Sequence, residues 1–309
     1  MNDKKCLKTL GILAGITAAS VAAIKPRTSN EEIDDKWQYI EQFKYAHRGL
    51  YDQPHSASEK PNPNADEPYW YEDCIGFGRQ VIPENSILAF TRATNNGFGV
   101  ELDVHLTRDN QLAVCHDSNL LRMTGVDVEI ENLSYEELQA YPLLATDETI
   151  PLLKDVLPIF EEKGLPVIIE LKAARDNVLR LCRKTYEVAE ASGCIYCVES
   201  FDPRCVQYFK LHHPQIVRGQ LSQNYLNKDA TGPTSLTLKV LLTTLTTNCL
   251  TKPDFIAYKY EDRHNPFMWV AKNLYNAKTV SWTLRSHEQL AKAEVEGAIP
   301  IFEKLKPKN

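Results

Sequence analysis

Short apolar runs alternate with longer amphipathic stretches along most of this 309-residue chain. Runs with strand character are "FKYAH" (43–47), "GVELDVHL" (99–106), "QLAVCHD" (111–117), "LPVIIELK" (165–172), "CIYCVESF" (194–201), "IVRGQLS" (216–222), "DFIAYKY" (254–260) and "TVSWTL" (279–284). Between them, residues 83–97, 134–141, 176–193 and 286–297 carry helical spacing. Ser134 and Glu137 form an S-x-x-E capping box, and three of these stretches end at Gly97, Gly193 and Gly297. Parallel neighbours need crossover segments, so this alternation predicts a parallel sheet with helices packed on it. Eight strands suit an α/β fold of the closed (β/α)8 barrel type. The tail "AIPIFEKL" (298–305) is a ninth strand candidate, so one of the nine is expected to lie outside the barrel. An open doubly wound sheet is the alternative, but no G-x-G-x-x-G or P-loop supports it.

Three stretches break the pattern. Residues 51–83 follow the first strand and are rich in Pro, Tyr and polar groups. In a parallel barrel, loops after strands surround the catalytic face, so a rim or lid is expected here. Residues 234–250, "TSLTLKVLLTTLTTNCL", are apolar and Thr-rich, and suit a helix on the barrel or against lipid. The N-terminus is basic ("MNDKKCLK") and then uncharged and apolar through residues 9–24. A membrane anchor, a signal peptide and a packed helix all fit that run. The anchor is the first choice, with residues 1–30 as the N-terminal segment and residues 37–309 as the catalytic body. Which side of the membrane would hold the body is left open, because the flanking lysines favour one side only weakly.

Composition narrows the function. Lys and Arg number 35 against 41 Asp and Glu, for a formal net charge of −6. Nucleic acid is therefore not an expected partner. No obligate protein partner is evident either. The eight cysteines (6, 74, 115, 182, 194, 197, 205 and 249) suggest a reducing compartment. Cys194 and Cys197 have C-x-x-C spacing but no zinc-spaced second pair, and they read as structural thiols.

The chemistry concentrates at strand ends. On a strand, Glu101 and Asp103 share one face with His105, while Leu102 and Val104 share the other. Paired carboxylates inside a sheet need compensation, and a divalent cation supplies it. Glu170 ends an otherwise apolar strand and would complete a three-carboxylate site, with Lys172 two residues on. His47 and His116 also stand at strand ends, His47 followed by Arg48 and Gly49, His116 by Asp117. An edge strand with a wet face, or local salt bridges, would explain each group singly. Together they suit metal-assisted phosphoester cleavage with histidine acid–base catalysis. No G-x-S-x-G elbow points to a serine hydrolase.

The ordered set "HRG" (47–49), "ENS" (84–86), "ELDV" (101–104), "HD" (116–117), "RMTG" (122–125), "ELK" (170–172) and "WT" (282–283) resembles the glycerophosphodiester phosphodiesterase family. The resemblance implies a TIM barrel that hydrolyses glycerophosphodiesters with Ca2+ or Mg2+. It implies Glu101, Asp103 and Glu170 as metal ligands and His47 and His116 as the acid–base pair. Arg48 and Lys172 would bind phosphate, Glu84 and Asn85 would support the metal or the glycerol end, and Trp282 is a further candidate. The tail departs from the family's "GIITD"-like strand, which leaves the role of that acid open. A lysophospholipase D-like enzyme acting on acylated lipids, and an inactive membrane-tethered module, are the competing expectations.

Overall fold

The computed structural model describes residues 18–28, 30–52, 81–174, 176–228, 230 and 232–305. Eight parallel strands close a barrel: β1 (Tyr45–His47), β2 (Gly99–Leu106), β4 (Val167–Leu171), β5 (Tyr196–Ser200), β6 (Arg218–Ser222), β7 (Phe255–Lys259), β8 (Lys278–Leu284) and β9 (Ala298–Phe302). Closure comes from β1, which pairs with both β2 and β9. The ninth strand, β3 (Leu112–Val114), lies outside the barrel and runs antiparallel to the end of β2. The "QLAVCHD" stretch is therefore not a barrel strand, and the tail supplies the eighth one. The reason is connection length. Five residues separate Leu106 from Leu112, which allows a hairpin but not a crossover of a dozen residues.

Helices fall where spacing and caps direct them. Residues 83–97 give α2 (Ile87–Asn95), with the Ser86 side chain accepting from the Ala89 amide. Ser134 caps the short α4 (Tyr135–Leu138) in a full capping box, after another short helix, α3 (Leu121–Thr124). The crossovers after these are α5 (Leu153–Lys163), α6 (Val178–Ser192) and α7 (Pro203–His212). Residues 234–250 form two short helices, α8 (Leu236–Thr243) and α9 (Asn248–Thr251). They carry the chain from β6 to β7 and bury Leu242, Leu245 and Asn248 while Leu236, Val240, Leu241 and Leu250 stay exposed. The last two are α10 (Pro266–Tyr275) and α11 (His287–Val295).

Strand parity sorts the core into two layers. Outward residues such as Leu102, Val104, Val167, Ile169 and Val198 meet Phe90, Phe160 and Leu181 of the helices. Inward residues Tyr45, Ile168, Cys197, Val217, Phe255, Val280 and Ile301 fill the barrel's lower interior. Gly219 makes room there, since a Cβ would lie 2.2 Å from the Phe255 ring. The helix just before β1, α1 (Glu31–Ile40), buries Ile33, Trp37 and Ile40 against this interior and closes the end opposite the site. The Trp37 ring meets that of Phe255 at 5.2 Å. With the lower barrel packed by apolar side chains, the inward polar residues collect at the carboxyl ends of the strands.

Residues 18–24 are helical, and Ile24 is buried among Leu245, Ile256, Tyr258, Met268 and Ala271. The Tyr275 hydroxyl donates to the Val21 carbonyl (2.9 Å), and the Asn248 amide to that of Ile24 (3.0 Å). The end of the N-terminal apolar run is thus seated on the barrel, while residues 1–17 lie outside the described residues. Among the described residues no helix is long and apolar enough to cross a membrane. Residues 53–80 of the expected rim also lie outside them. Of the cysteines described, Cys115, Cys182, Cys194, Cys197 and Cys205 are buried free thiols, and Cys249 is exposed.

Candidate active site

Register places the chemistry side by side. His47 pairs with Glu101, Asp103 with Glu170, and Glu170 with Glu199 across neighbouring strands. In a parallel sheet, paired residues face the same way, so all of these side chains point into the barrel mouth. Glu101, Asp103 and Glu170 offer ligand oxygens that all lie within 4.8 Å of one another. Lys172 Nζ sits 2.7 Å from Glu170 Oε1 and 3.0 Å from Asp103 Oδ1. Three carboxylates against one lysine and a nearby arginine leave excess negative charge in a buried place. Glu101 Oε1 is buried with no hydrogen-bond partner among the described residues. Such an oxygen loses solvation without return unless a cation takes it. A hard divalent cation fits this all-oxygen set.

Arg48 follows the end of β1 with φ 56°, and its amide donates to the Glu101 carbonyl at 2.8 Å. That unfavourable backbone turns its guanidinium back onto the acids. Nη1 bonds Glu84 Oε1 (2.8 Å), and Nε lies 3.5 Å from Asp103 Oδ2. Gly49 has φ +84°, and its missing Cβ would sit 2.8 Å from that of Ala89, so α2 packs directly against the turn. Asn85, also at positive φ, donates its amide to Asp103 Oδ2 (2.8 Å). Glu84 is clasped by Arg48 and Arg122, and Arg122 also bonds Asp117. One ionic chain thus links Asp103, Arg48, Glu84, Arg122 and Asp117.

Each candidate histidine has its own carboxylate. His116 Nδ1 meets Asp117 Oδ1 at 2.6 Å. His47 Nδ1 meets Glu303 Oε2 at 3.0 Å, and Tyr51 Oη donates to the same oxygen at 2.8 Å. Arg285 Nε donates to the other Glu303 oxygen. In both imidazoles the carboxylate sits on Nδ1, so the ring's other nitrogen, Nε2, is the one turned to the cavity; that of His47 lies 3.8 Å from Glu101 Oε2. His105 serves otherwise: its nitrogens meet Glu131 (2.9 Å) and the His116 carbonyl (3.1 Å), which fixes the His116 backbone.

The electrostatics follow from burial and these neighbours. Burial, then Lys172, pushes His116 down to about 4. Burial, then Arg48, lowers His47, against the opposing pull of Glu303. In both rings burial favours the neutral imidazole. Burial would raise Asp103, but Lys172, His116 and Arg48 outweigh it and hold that carboxyl well below its ordinary value. Burial and then Asp103 push Glu101 up, while burial lifts Glu170 to about 7 against Lys172. The cluster titrates as a unit whose protons compete with any cation.

A cavity of about 310 Å³ brings together His47, Arg48, Glu101, His116, Glu170 and Trp282. The Trp282 ring lies edge-on to Phe201, centroids 5.5 Å apart. Asp103 and Lys172 adjoin Glu170, whereas Glu84 and Asn85 do not line the cavity and are tied to it through Arg48, Arg122 and Asp103. A second, open groove of about 1030 Å³ shares His116 and runs past Leu121, Arg122, Pro142 and Ala145. Glu303 and Glu199 were not singled out by the sequence reading. The signal was present, since each stands at the carboxyl end of an apolar strand, like Glu170.

A model of the glycerophosphoryl diester phosphodiesterase family matches residues 76–302. Lysophospholipase D GDPD1 of Rattus norvegicus is 40% identical over 109 residues, 31% of this chain and 34% of that protein. A glycerophosphodiester phosphodiesterase of Bacillus altitudinis is 40% identical over 98 residues, 29% of this chain and 40% of that one. The match therefore spans about a third of the length of the first relatives. An Oleispira antarctica phosphodiesterase, solved in complex with the product sn-glycerol-3-phosphate, superposes with a TM-score of 0.61 at 19% identity. It covers 85% of this chain and 92% of its own. A glycerophosphodiester phosphodiesterase from Parabacteroides distasonis gives 0.56 at 22% identity, over 72% of this chain and 87% of its own. At these identities the superpositions establish the (β/α)8 fold. With the family model matched over most of the barrel, this chain belongs to the glycerophosphoryl diester phosphodiesterase family.

Proposed function

We propose that this chain hydrolyses glycerophosphodiesters to glycerol 3-phosphate and an alcohol, using a divalent cation, Ca2+ or Mg2+. The observation that carries the reading is the shared cavity: two imidazoles, each held at Nδ1 by its own carboxylate, open onto the Glu101–Asp103–Glu170 cluster. Bound at those three residues, the cation would polarise a phosphoryl oxygen and offset its charge. Arg48 and Lys172 supply fixed positive charge beside it for the phosphate. Nε2 of one histidine takes the proton from the substrate's own glycerol hydroxyl as that oxygen attacks phosphorus. Nε2 of the other, protonated in the bound complex, gives its proton to the leaving alcohol. The roles then reverse as water opens the cyclic phosphate. Trp282 and Phe201 wall the cavity and exclude water.

The test is turnover of a glycerophosphodiester panel with and without chelator, reading glycerol 3-phosphate release. Unchanged activity in His47→Ala, in His116→Ala and with chelator would sink the mechanism. A second reading, hydrolysis of acylated lysophospholipids, draws on the relatives named lysophospholipase D and on the open groove beside His116. Lysophospholipids in the same panel separate the two. We also propose that residues 9–24 hold the barrel at a membrane. Support comes from their apolar run, from exposed Leu236, Val240 and Leu241 on α8, and from exposed Trp269 on α10, whose Met268 and Ala271 cluster with Ile24. Vesicle flotation of the full chain tests it, and no flotation in any lipid composition refutes it.

A further inference from the structure

Glu199 is a buried carboxylate that the proposed chemistry does not use. It is 2% exposed, and its Oε2 has no hydrogen-bond partner among the described residues. It lines the catalytic cavity on β5, between Glu170 of β4 and Gly219 of β6 in register. Gly219 offers no side chain to cover it, and the space beside that glycine holds the Phe255 ring. Phe201, Leu221 and Trp282 line the same wall. A buried carboxyl oxygen with no hydrogen-bond partner carries a desolvation cost, so the site is built to receive a donor. That donor is not the cation at the acidic cluster. The ligand atoms that come within reach of one another belong to Glu101, Asp103 and Glu170, and Glu199 stands outside that group.

We infer that Glu199 accepts a hydrogen bond from the terminal hydroxyl of the substrate's glycerol, and so selects diesters whose terminal hydroxyl is free. The inference rests on the glycerophosphodiesterase reading and sharpens its substrate class. The hydroxyl next to the phosphoryl-bearing carbon attacks phosphorus and lies at the cation cluster. The terminal hydroxyl is one carbon further on, and Glu199 is one strand further on, next to Glu170. A substrate lacking or acylating that hydroxyl leaves the buried carboxylate unpaired, and this is the situation in which polar sites discriminate strongly. Glu199 is thereby a specificity residue, with no part in proton transfer.

The test compares glycerophosphoethanolamine with its analogue lacking the terminal hydroxyl, and with 1-acyl lysophosphatidylethanolamine. The full chain is used, with its divalent cation supplied. Wild type is expected to favour the parent diester over the deoxy analogue at least tenfold in kcat/KM, and the acylated lipid is expected to fare worse. Glu199→Leu is expected to lose activity on the parent only, bringing parent and analogue within about threefold. Glu199→Gln, which keeps the shape, is expected to fall between. Equal wild-type rates on parent and analogue would overturn the role and leave the diesterase reading standing, and this arm needs no variant to fold. Undiminished discrimination in Glu199→Leu would overturn it too. So would a tenfold loss of cation affinity in that variant, since Glu199 would then be a ligand. If wild type neither turns over nor binds the parent, the diesterase reading itself fails and the role falls with it.

Discussion

Glu303→Gln isolates what the last strand contributes to the reaction. The Glu303 carboxylate meets His47 Nδ1 at 3.0 Å, takes the Tyr51 hydroxyl at 2.8 Å on the same oxygen, and is held by Arg285 on the other. Its position is therefore fixed from three sides, and it transmits that order to the imidazole. Glutamine keeps the size and removes the charge. The difference matters most when His47 carries the transferred proton, because a charge-assisted bond then becomes a neutral one. Such bonds contribute about 1.5–3 kcal/mol, and 1.36 kcal/mol is tenfold. The expected loss in kcat is therefore about 10- to 150-fold. KM should change little, because Glu303 does not line the cavity. Since Glu303 raises the pKa of His47, its loss should move the pH limb governed by His47 to lower pH. The assay is glycerol 3-phosphate release at saturating substrate from pH 5.5 to 9, with thermal midpoints as a check on folding. Glu303→Asp should recover part of the rate. A Glu303→Gln enzyme within twofold of wild type, with an unshifted profile, would refute the argument.

Saturating Ca2+ or Mg2+ at a hundred times Kd should stabilise the fold by about 2.7 kcal/mol. Scanning calorimetry should show that gain vanish in Glu101→Gln and Asp103→Asn. His116 has a folded pKa near 4, below the ordinary value, so the unfolded chain binds the extra proton between pH 6.5 and 4. Its contribution to stability is complete above pH 6.5 and is lost as the pH falls. From pH 6.5 to 5, wild type should lose about 1 kcal/mol relative to His116→Gln, after halving for the partial exposure of the ring. Denaturant titrations at both pH values give that difference, and no difference would mean the ring is not held neutral. Trp37→Ala should destabilise the barrel by about 3–5 kcal/mol through the cavity left under Phe255, lowering the thermal midpoint while kcat in the cold stays within a few-fold.

Much of the site was legible because strand parity is a local property. Glu101 and Asp103 two residues apart, and Glu170 at the end of an apolar run, face inward by the pleat alone. Glu303 and Glu199 stand in the same local pattern, which marks them as inward acids at strand ends but does not say what they meet. Their meaning comes from partners far along the chain: His47 lies 256 residues before Glu303, and Glu199 matters only because β5 lies against β4. The strand at 112–114 shows a different limit. Its composition is that of a barrel strand, and only the short Thr107–Gln111 connection, read as a hairpin, excludes it from the parallel set. Tertiary closure then gave the eighth place to Ala298–Phe302, between β8 and β1.

The sequence by itself determined the elements, the inward faces and the collection of acids, imidazoles and cations at strand ends, because dihedral preference and hydrophobic period act over a few residues. It left open how those ends are paired. Only the closed barrel decided that Glu303 supports His47, that Arg122 joins Glu84 to Asp117, and that Glu199 stands buried beside the cation cluster with an oxygen unpartnered. The first joins β1 and β9, strands that meet only when the sheet closes, and the others join loops and neighbouring strands that only the tertiary fold brings together.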